Sequence, residues 1–198
     1  MIKFLSILTL TALPVHALNP PPPVEEKIRV PVVKSWKCPD CTPNEKYVLA
    51  MLQKHTKISD RNALATILGN IKQESNFATN ICEGGARVSY ENCHYGGFGL
   101  IQWTTPGRYR SLGSFCNKYG LNPSTLEGQV RFMINEKEFR AVLPRFEGRG
   151  QTVSQYMKPA YYWLGWVSRV IENITHITIL NEWCTHDQGI YSKTSHQT

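Results

Sequence analysis

The chain has 198 residues, a formal net charge of +7 at pH 7 and a hydrophobic content of 41%. This length is sufficient for one domain with a proper hydrophobic core. The positive charge would attract anionic polymers, of which bacterial cell walls and nucleic acids are both candidates. Because the basic residues are scattered along the chain and not grouped in blocks, the composition does not favour a nucleic-acid partner.

Residues 1–17 have the features of a secretory signal peptide. Lys3 supplies a positive charge, residues 4–15 form a short apolar run, and Val15 and Ala17 place small residues before a cleavage site. The run is shorter than the roughly 20 apolar residues of a membrane-spanning helix. We therefore expect an exported protein, periplasmic or extracellular, with no stable membrane insertion once the leader is removed. An uncleaved N-terminal anchor is the alternative.

The segment that follows the leader is rich in proline. Residues 20–23 are all proline, and Pro31 continues the pattern, which favours an extended polyproline conformation. The sequence therefore predicts a linker over residues 18–37, a folded domain over residues 38–184 and a C-terminal tail over residues 185–198.

The chain contains six cysteines, and an even number behind an export signal indicates disulfide bonds. Sequence alone does not determine which cysteines pair. The pairing we predict closes two short loops and ties a middle helix to the C-terminal segment: Cys38–Cys41, Cys82–Cys93 and Cys116–Cys184. Zinc is the alternative at Cys38 and Cys41, whose spacing suits a metal site. Because only Cys93 and His94 offer a second close pair, we predict no metal site and no cofactor.

The periodicity of the domain is mainly helical. Thr42 followed by Pro43 marks the start of one helix, and Ser59 or Asp60 caps the next. Later helices are predicted over residues 106–119, 123–138 and 152–184. Residues 79–100 are rich in glycine and predict a loop or small β-hairpin bracketed by a disulfide. The expected fold class is therefore mainly α (α+β), with one glycine-rich excursion.

Glu74 lies at the C-terminal end of the second predicted helix, next to this excursion. Partial burial among apolar neighbours such as Ile71 and Phe77 would disfavour the charged carboxylate and raise its pKa. A carboxylic acid with a raised pKa can protonate a glycosidic oxygen near neutral pH. From composition alone, however, a solvent-exposed glutamate is the simpler interpretation.

Two motifs change that interpretation. Residues 73–77, QESNF, and residues 96–104, GGFGLIQWT, resemble the paired signature of goose-type lysozymes and soluble lytic transglycosylases. The QWT ending, with Arg108 soon after, is most similar to the phage tail lysozyme branch. In this superfamily a Glu-Ser pair closes a helix and faces a Gly-Leu-x-Gln segment across a cleft. The resemblance covers about residues 45–180 and implies a lysozyme-like helical domain.

The resemblance implies a role for each polar residue of the two motifs. Glu74 matches the catalytic general acid, and Ser75 matches a residue that orients the N-acetyl group of the muramic acid. Gly99 would let the backbone approach the sugar closely. Gln102 would bind the sugar or orient Glu74, and Arg108 would bind substrate or brace the loop.

Aromatic residues are further candidates for substrate contact. The resemblance places Phe98 and Trp103 in or beneath the wall of the cleft, where packing is the alternative role for both. Tyr161, with Tyr162 and Trp163 beside it, lies on the late helix and could stack on a sugar ring or pack in the core.

The number of catalytic carboxylates stays open in the sequence. Glu83 and Glu91 both lie in the loop region and are candidates to activate water. In the related branch a later helix carries a Gln and then a Glu near its end, and Gln129 with Glu136 or Glu138 fits that place.

The resemblance implies a muramidase that hydrolyses the MurNAc–GlcNAc β-1,4 bond of peptidoglycan glycan strands. A lytic transglycosylase on the same fold is one alternative, and a non-catalytic glycan-binding or structural virion module is another. A papain-like peptidase with a free cysteine is a rival from a different class. The gene's owner, phage or bacterium, stays open, so virion proteins are candidate partners and virion association is an alternative to export.

Overall fold

The computed structural model describes residues 35–94, 96–165 and 191–193. These ranges contain β1 Ser35–Lys37, α1 Pro43–His55, α2 Arg61–Ser75, α3 Pro106–Lys118, α4 Leu126–Asn135, α5 Lys137–Phe146, α6 Val153–Leu164 and β2 Tyr191–Lys193. Two short 3-10 helices, Glu83–Gly85 and Tyr90–Asn92, lie between α2 and α3. The predicted mainly helical class, with a glycine-rich excursion, is confirmed. The predicted signal peptide, most of the linker and residues 166–184 lie outside the described residues.

The first two helices begin at polar side chains that the sequence singled out. The Thr42 hydroxyl accepts a hydrogen bond from the Glu45 amide at 3.4 Å, and the Glu45 carboxylate accepts one from the Thr42 amide at 2.7 Å. This reciprocal capping box satisfies two otherwise unpaired amides. Asp60, and not Ser59, caps α2 by accepting from the amides of Asn62 and Ala63.

The helix α2 is the central element of the core. Residues 63–71 are all buried, and α2 packs against both α1 and α6. Burial of each large aliphatic side chain, such as Ile67, Leu68 or Ile71, contributes about 1.5–3 kcal/mol. This packing fixes the C-terminal turn of α2, where Glu74 lies. None of the helices within the described ranges is long and apolar enough to cross a membrane.

The prediction of a single helix over residues 123–138 is wrong. The chain forms α4 and α5 instead, separated at Glu136, whose φ of −65° and ψ of 151° are those of an extended residue. The Glu136 amide still donates to the Phe132 carbonyl, and its carbonyl accepts from the Arg140 amide. The break turns the Glu136 side chain inward, where it finds the partners described below.

A short two-stranded sheet joins the two ends of the described chain. β1 pairs antiparallel with β2, with Trp36 opposite Ser192. The Gln53 side chain on α1 accepts from the Trp36 amide at 2.6 Å and donates to the Trp36 carbonyl at 3.0 Å. The last three residues of the predicted linker thus form a strand fastened to α1, and β2 falls in the predicted C-terminal tail.

Two of the three predicted disulfides are confirmed. Cys38–Cys41 and Cys82–Cys93 are bonded, which removes Cys38 and Cys41 as zinc ligands. Cys116 is buried and forms no disulfide within the described residues; its predicted partner Cys184 lies outside them, so the Cys116–Cys184 bond stays a prediction. Cys116 is on the inner face of α3, packed against Gly128 of α4, and burial raises the pKa of its thiol to about 11. A neutral, enclosed thiol of this kind is a poor nucleophile.

Candidate active site

A cavity of about 680 Å³ opens where the C-terminal end of α2 faces the glycine-rich loop. Its charged lining residues are Glu74, Glu83, Glu138 and Arg108. The other lining residues come from α2, from the loop up to the N-cap of α3, and from the C-terminal end of α6: Gln73, Gly97, Ile101, Gln102, Thr104, Thr105, Tyr162, Trp163, Leu164 and Gly165. The cavity therefore brings together Glu74, Gln102 and Arg108, which the sequence assigned to one site.

Glu74 occupies the last turn of α2 and is half-buried. The helix ends abruptly after it, because Asn76 and Phe77 adopt left-handed backbone conformations with φ of 49° and 60°. The Phe77 ring is buried, and the Asn44 side-chain amide donates to the Phe77 carbonyl at 3.0 Å. Glu74 is therefore presented to the cavity from a helix end that is anchored on both sides.

The loop opposite Glu74 is pinned to α2 and α4 by two buried side chains. The Ser75 hydroxyl donates to the Leu100 carbonyl at 2.8 Å, and the Gln129 side-chain carbonyl accepts from the Leu100 amide at 2.9 Å. The Gln129 amide group also donates to the Thr79 carbonyl at 2.7 Å. Ser75 does not line the cavity, and its hydroxyl contacts the loop instead.

Gly99 lies where Gln129 reaches the loop. Its φ is +71°, and a Cβ at this position would lie 2.4 Å from the Gln129 side-chain oxygen. Only glycine fits both the left-handed backbone and this close approach. The sequence matched Gln129 to the related branch but gave it no role; the structure shows that it holds the Gly99–Leu100 turn.

Gln102 lines the cavity beside this turn. Its backbone has a φ of 50°, and its side-chain amide donates to the Gly99 carbonyl at 3.0 Å and to the Ile81 carbonyl at 3.4 Å. The side chain is thus oriented by the loop itself and stays half-buried.

Beneath the cavity lies a buried carboxylate, Glu136, that accepts hydrogen bonds from three side chains. The Arg108 guanidinium donates through Nη2 to both oxygens, at 2.8 and 2.9 Å, and through Nε at 3.2 Å. The indole of Trp163 donates at 2.7 Å and that of Trp103 at 3.1 Å. Burial raises the pKa of Glu136, while Arg108 and the two indoles oppose that rise. The sequence offered Glu136 only as one of two matches to a family position.

The structure separates the two candidates for a second carboxylate. Glu83 lines the cavity with Glu74, and its carboxylate accepts from the Gly97 amide at 2.9 Å. Glu91 lies in a different surface depression, with Arg110 and Asn117. Glu138 also lines the cavity. Among the two residues that the sequence proposed, only Glu83 is near Glu74.

The structure also separates the aromatic candidates into buried residues and residues that line the cavity. Phe98 and Trp103 are fully buried, and the Phe98 ring packs edge-on against Tyr90. Tyr161 is half-buried and is not among the lining residues, whereas the exposed Tyr162 is. The next residue along the helix is therefore the one that lines the cavity.

A helical domain in which a glutamate at a helix end faces a glycine-rich loop across a polar cavity defines a lysozyme-like protein. The sequence profile of the phage tail lysozyme family matches residues 43–161. The chain belongs to this family, as the two sequence motifs indicated. No curated protein and no solved structure matches the chain. Family membership identifies a lysozyme-like, glycosidase-type protein that acts on peptidoglycan.

Proposed function

We propose that this protein is a muramidase that hydrolyses the MurNAc–GlcNAc β-1,4 bond with Glu74 as general acid. The observation that supports the proposal most directly is the position of Glu74: half-buried, at a rigid helix end, in a cavity that also holds Gln102 and Glu83. Most glycosidases use two carboxyl groups that flank the scissile bond.

In the proposed reaction the protonated Glu74 donates its proton to the glycosidic oxygen as the bond from that oxygen to C1 of the MurNAc breaks. A water molecule then attacks C1 and yields a reducing end. Glu83, fixed by the Gly97 amide, is the candidate to accept the proton of that water. Arg108 offers a hydrogen-bond donor to the sugar, the Gln102 side-chain carbonyl offers an acceptor, and Tyr162 offers an aromatic ring.

The substrate in this proposal is the glycan strand of peptidoglycan, cleaved outside the bacterial cytoplasm. We propose either export through the predicted leader or transport in a phage virion as the route. Two standards, the protein with and without its first 17 residues, differ in electrophoretic mobility. Comparing them with the form found in the periplasm or in virions shows whether the leader has been removed, and so distinguishes these routes.

The test of the activity compares wild type, Glu74→Gln and Glu91→Gln on insoluble peptidoglycan, with the released muropeptides analysed by mass spectrometry. Glu91→Gln is the matched control, since it neutralises an exposed glutamate outside the cavity. We expect reducing-end products from wild type and from Glu91→Gln, and a loss of at least about 100-fold with Glu74→Gln, the range that general acid catalysis supplies. Glu83→Gln, in the same assay, tests the activation of water.

The products separate the proposal from its alternatives. Anhydro-muramic ends would show a lytic transglycosylase, which needs only one acid because the substrate's own groups complete the reaction. Equal release by wild type and Glu74→Gln would show that Glu74 is not the acid. A folded wild type that binds glycan but releases nothing would be a binding module.

A further inference from the structure

The Glu136 carboxylate joins three separate parts of the chain. Its side chain is 1% exposed, and its donors come from the end of the glycine-rich loop, from α3 and from α6: Trp103, Arg108 and Trp163. Glu136 also sits between α4 and α5, where its own backbone hydrogen bonds continue into both helices. Four helices and the loop thus depend on the placement of one carboxylate.

Two of these three donors are themselves walls of the cavity. Arg108 and the fully buried Trp163 line it, whereas Glu136 does not. Any effect of Glu136 on a bound glycan must therefore pass through these two side chains. Although Glu136 occupies the N-cap position of α5, its side chain makes no capping hydrogen bond there, because it is directed to the buried cluster.

We propose that Glu136 is a positioning residue of the active site, which holds Arg108 in the orientation that binds the glycan and fixes the buried Trp163 beneath it. This inference rests on the proposed function, since it requires the cavity to bind a glycan strand. A displacement of about 1 Å in groups that position a substrate can cost on the order of 100-fold in rate, so a buried carboxylate that fixes wall residues should control activity through them.

The charges around Arg108 specify what it would bind. Its Nε and Nη2 groups are engaged by Glu136, and the Glu138 carboxylate lies 4.0 Å from Nε. Within the described part of the chain Nη1 donates to no side chain or carbonyl. With two carboxylates near it, the guanidinium is a compensated charge. It is therefore suited to donate from Nη1 to neutral sugar oxygens rather than to capture an anionic group.

The test uses Glu136→Gln, which keeps the size of the side chain. A glutamine has one accepting oxygen and one donating amide, so it cannot accept from both indoles and the guanidinium together. Steady-state kinetics on soluble, uncross-linked glycan strands should show kcat/KM lower by about 10- to 100-fold, with KM raised. Glu127→Gln, an exposed glutamate paired with Arg131 on α4, is the matched control and should leave both constants unchanged.

Binding measured without turnover separates positioning from chemistry. In the Glu74→Gln background, adding Glu136→Gln should weaken the binding of the same glycan strands, as measured by calorimetry. Arg108→Lys, which keeps the charge but loses the two-pronged contact, should give an intermediate loss. It also provides a second variant if Glu136→Gln does not fold. Because both residues act through one unit, the losses of Glu136→Gln and Arg108→Lys should not add in the double variant.

Two outcomes would overturn the inference in distinguishable ways. If wild type is active and Glu136→Gln lowers only the melting temperature, with kcat, KM and glycan binding unchanged well below it, Glu136 is structural and the proposed function stands. If wild type neither cleaves nor binds glycan strands, the proposed function fails, and the positioning role fails with it.

Discussion

The two walls of the cavity are held by different kinds of interaction. The helical wall, made by α3, α5 and α6, converges on the buried charge of Glu136 and its partner Arg108. The loop wall, residues 79–104, is held by neutral hydrogen bonds from Ser75 and Gln129 and by a disulfide, and its end joins the charged cluster through the Trp103 indole. Leaving a buried charge unpaired is far more costly than losing a neutral hydrogen bond. Damage to the helical wall should therefore destabilise the whole fold, and damage to the loop wall should act locally.

The largest effect is expected when Arg108, the cationic partner of Glu136, is replaced. Arg108→Met keeps most of the length of the side chain but leaves Glu136 buried with only the two indole donors. Unpairing a buried charge costs about 3–5 kcal/mol, and urea unfolding at pH 7 should show a loss of this size. Arg131→Met, at a more exposed ion pair with Glu127, is the control and should cost less than about 1 kcal/mol.

The loss caused by Arg108→Met should depend on pH. Burial already raises the pKa of Glu136, and Arg108 opposes that rise, so removal of Arg108 should raise this pKa further. A carboxyl whose pKa is raised in the folded state stabilises the fold at low pH and loses that contribution as the pH rises through the folded pKa. The difference in unfolding free energy between wild type and Arg108→Met should therefore be smaller at pH 5 than at pH 7. A difference that is constant or larger at pH 5 would contradict this account.

The contrast between the walls also explains what the sequence could predict. The loop wall is encoded locally: residues 73–77 and 96–104 carry a recognisable pattern, and Cys82 and Cys93 close a short loop. The helical wall depends on Glu136, Arg108 and Trp163, which are distant in sequence and meet only through the packing of helices. No local pattern marks Glu136 as buried, so a continuous helix was predicted where the chain breaks.

The same reasoning applies to the cysteines and the aromatic residues. Cys38–Cys41 and Cys82–Cys93 follow from short separations, whereas no short separation gives Cys116 a partner. Tyr161 and Tyr162 are adjacent on α6, and helical spacing alone does not decide which one faces a cavity. Such choices depend on the rotation of a helix against its neighbours, which single-sequence periodicity leaves undetermined.

A medium effect is expected at the disulfide of the loop wall. The double variant Cys82→Ser with Cys93→Ser opens a loop with a sequence separation of 11. Because this crosslink restricts the unfolded chain, its removal should lower the free energy of unfolding by about 2–3 kcal/mol. Urea unfolding should show this loss. Because Glu83 follows Cys82 directly and is held by Gly97, activity on peptidoglycan should also fall at temperatures where the variant stays folded.

The other disulfide provides the matched control. Cys38→Ser with Cys41→Ser opens a loop with a separation of only 3, so a smaller loss of stability is expected. These residues lie before α1 and outside the cavity lining, and activity should be unchanged. Equal losses of activity in the two double variants would show that the loop wall has no local role.

The smallest effect is expected at Tyr109, which joins the two walls. It lies on α3, and its hydroxyl donates to the carbonyls of Tyr90 and Cys93 in the loop wall. Burial raises the pKa of Tyr109 to about 12. Tyr109→Phe should lower the unfolding free energy at pH 7 by about 0.5–1.5 kcal/mol, the net contribution of a hydrogen bond. Tyr119→Phe, at a half-exposed ring that caps the C-terminal end of α3, is the control.

The pH dependence of the unfolding free energy at alkaline pH then tests whether the Tyr109 hydroxyl joins the two walls. A phenol whose pKa is raised by folding contributes fully below its unfolded value near 10 and loses that contribution as the pH rises towards 12. Wild type should therefore lose stability between these pH values, and Tyr109→Phe should lose less. Part of the fall should remain, because burial raises the pKa of Tyr156 to about 12 as well. Superimposable alkaline curves for wild type and Tyr109→Phe would mean that this hydroxyl does not join the walls.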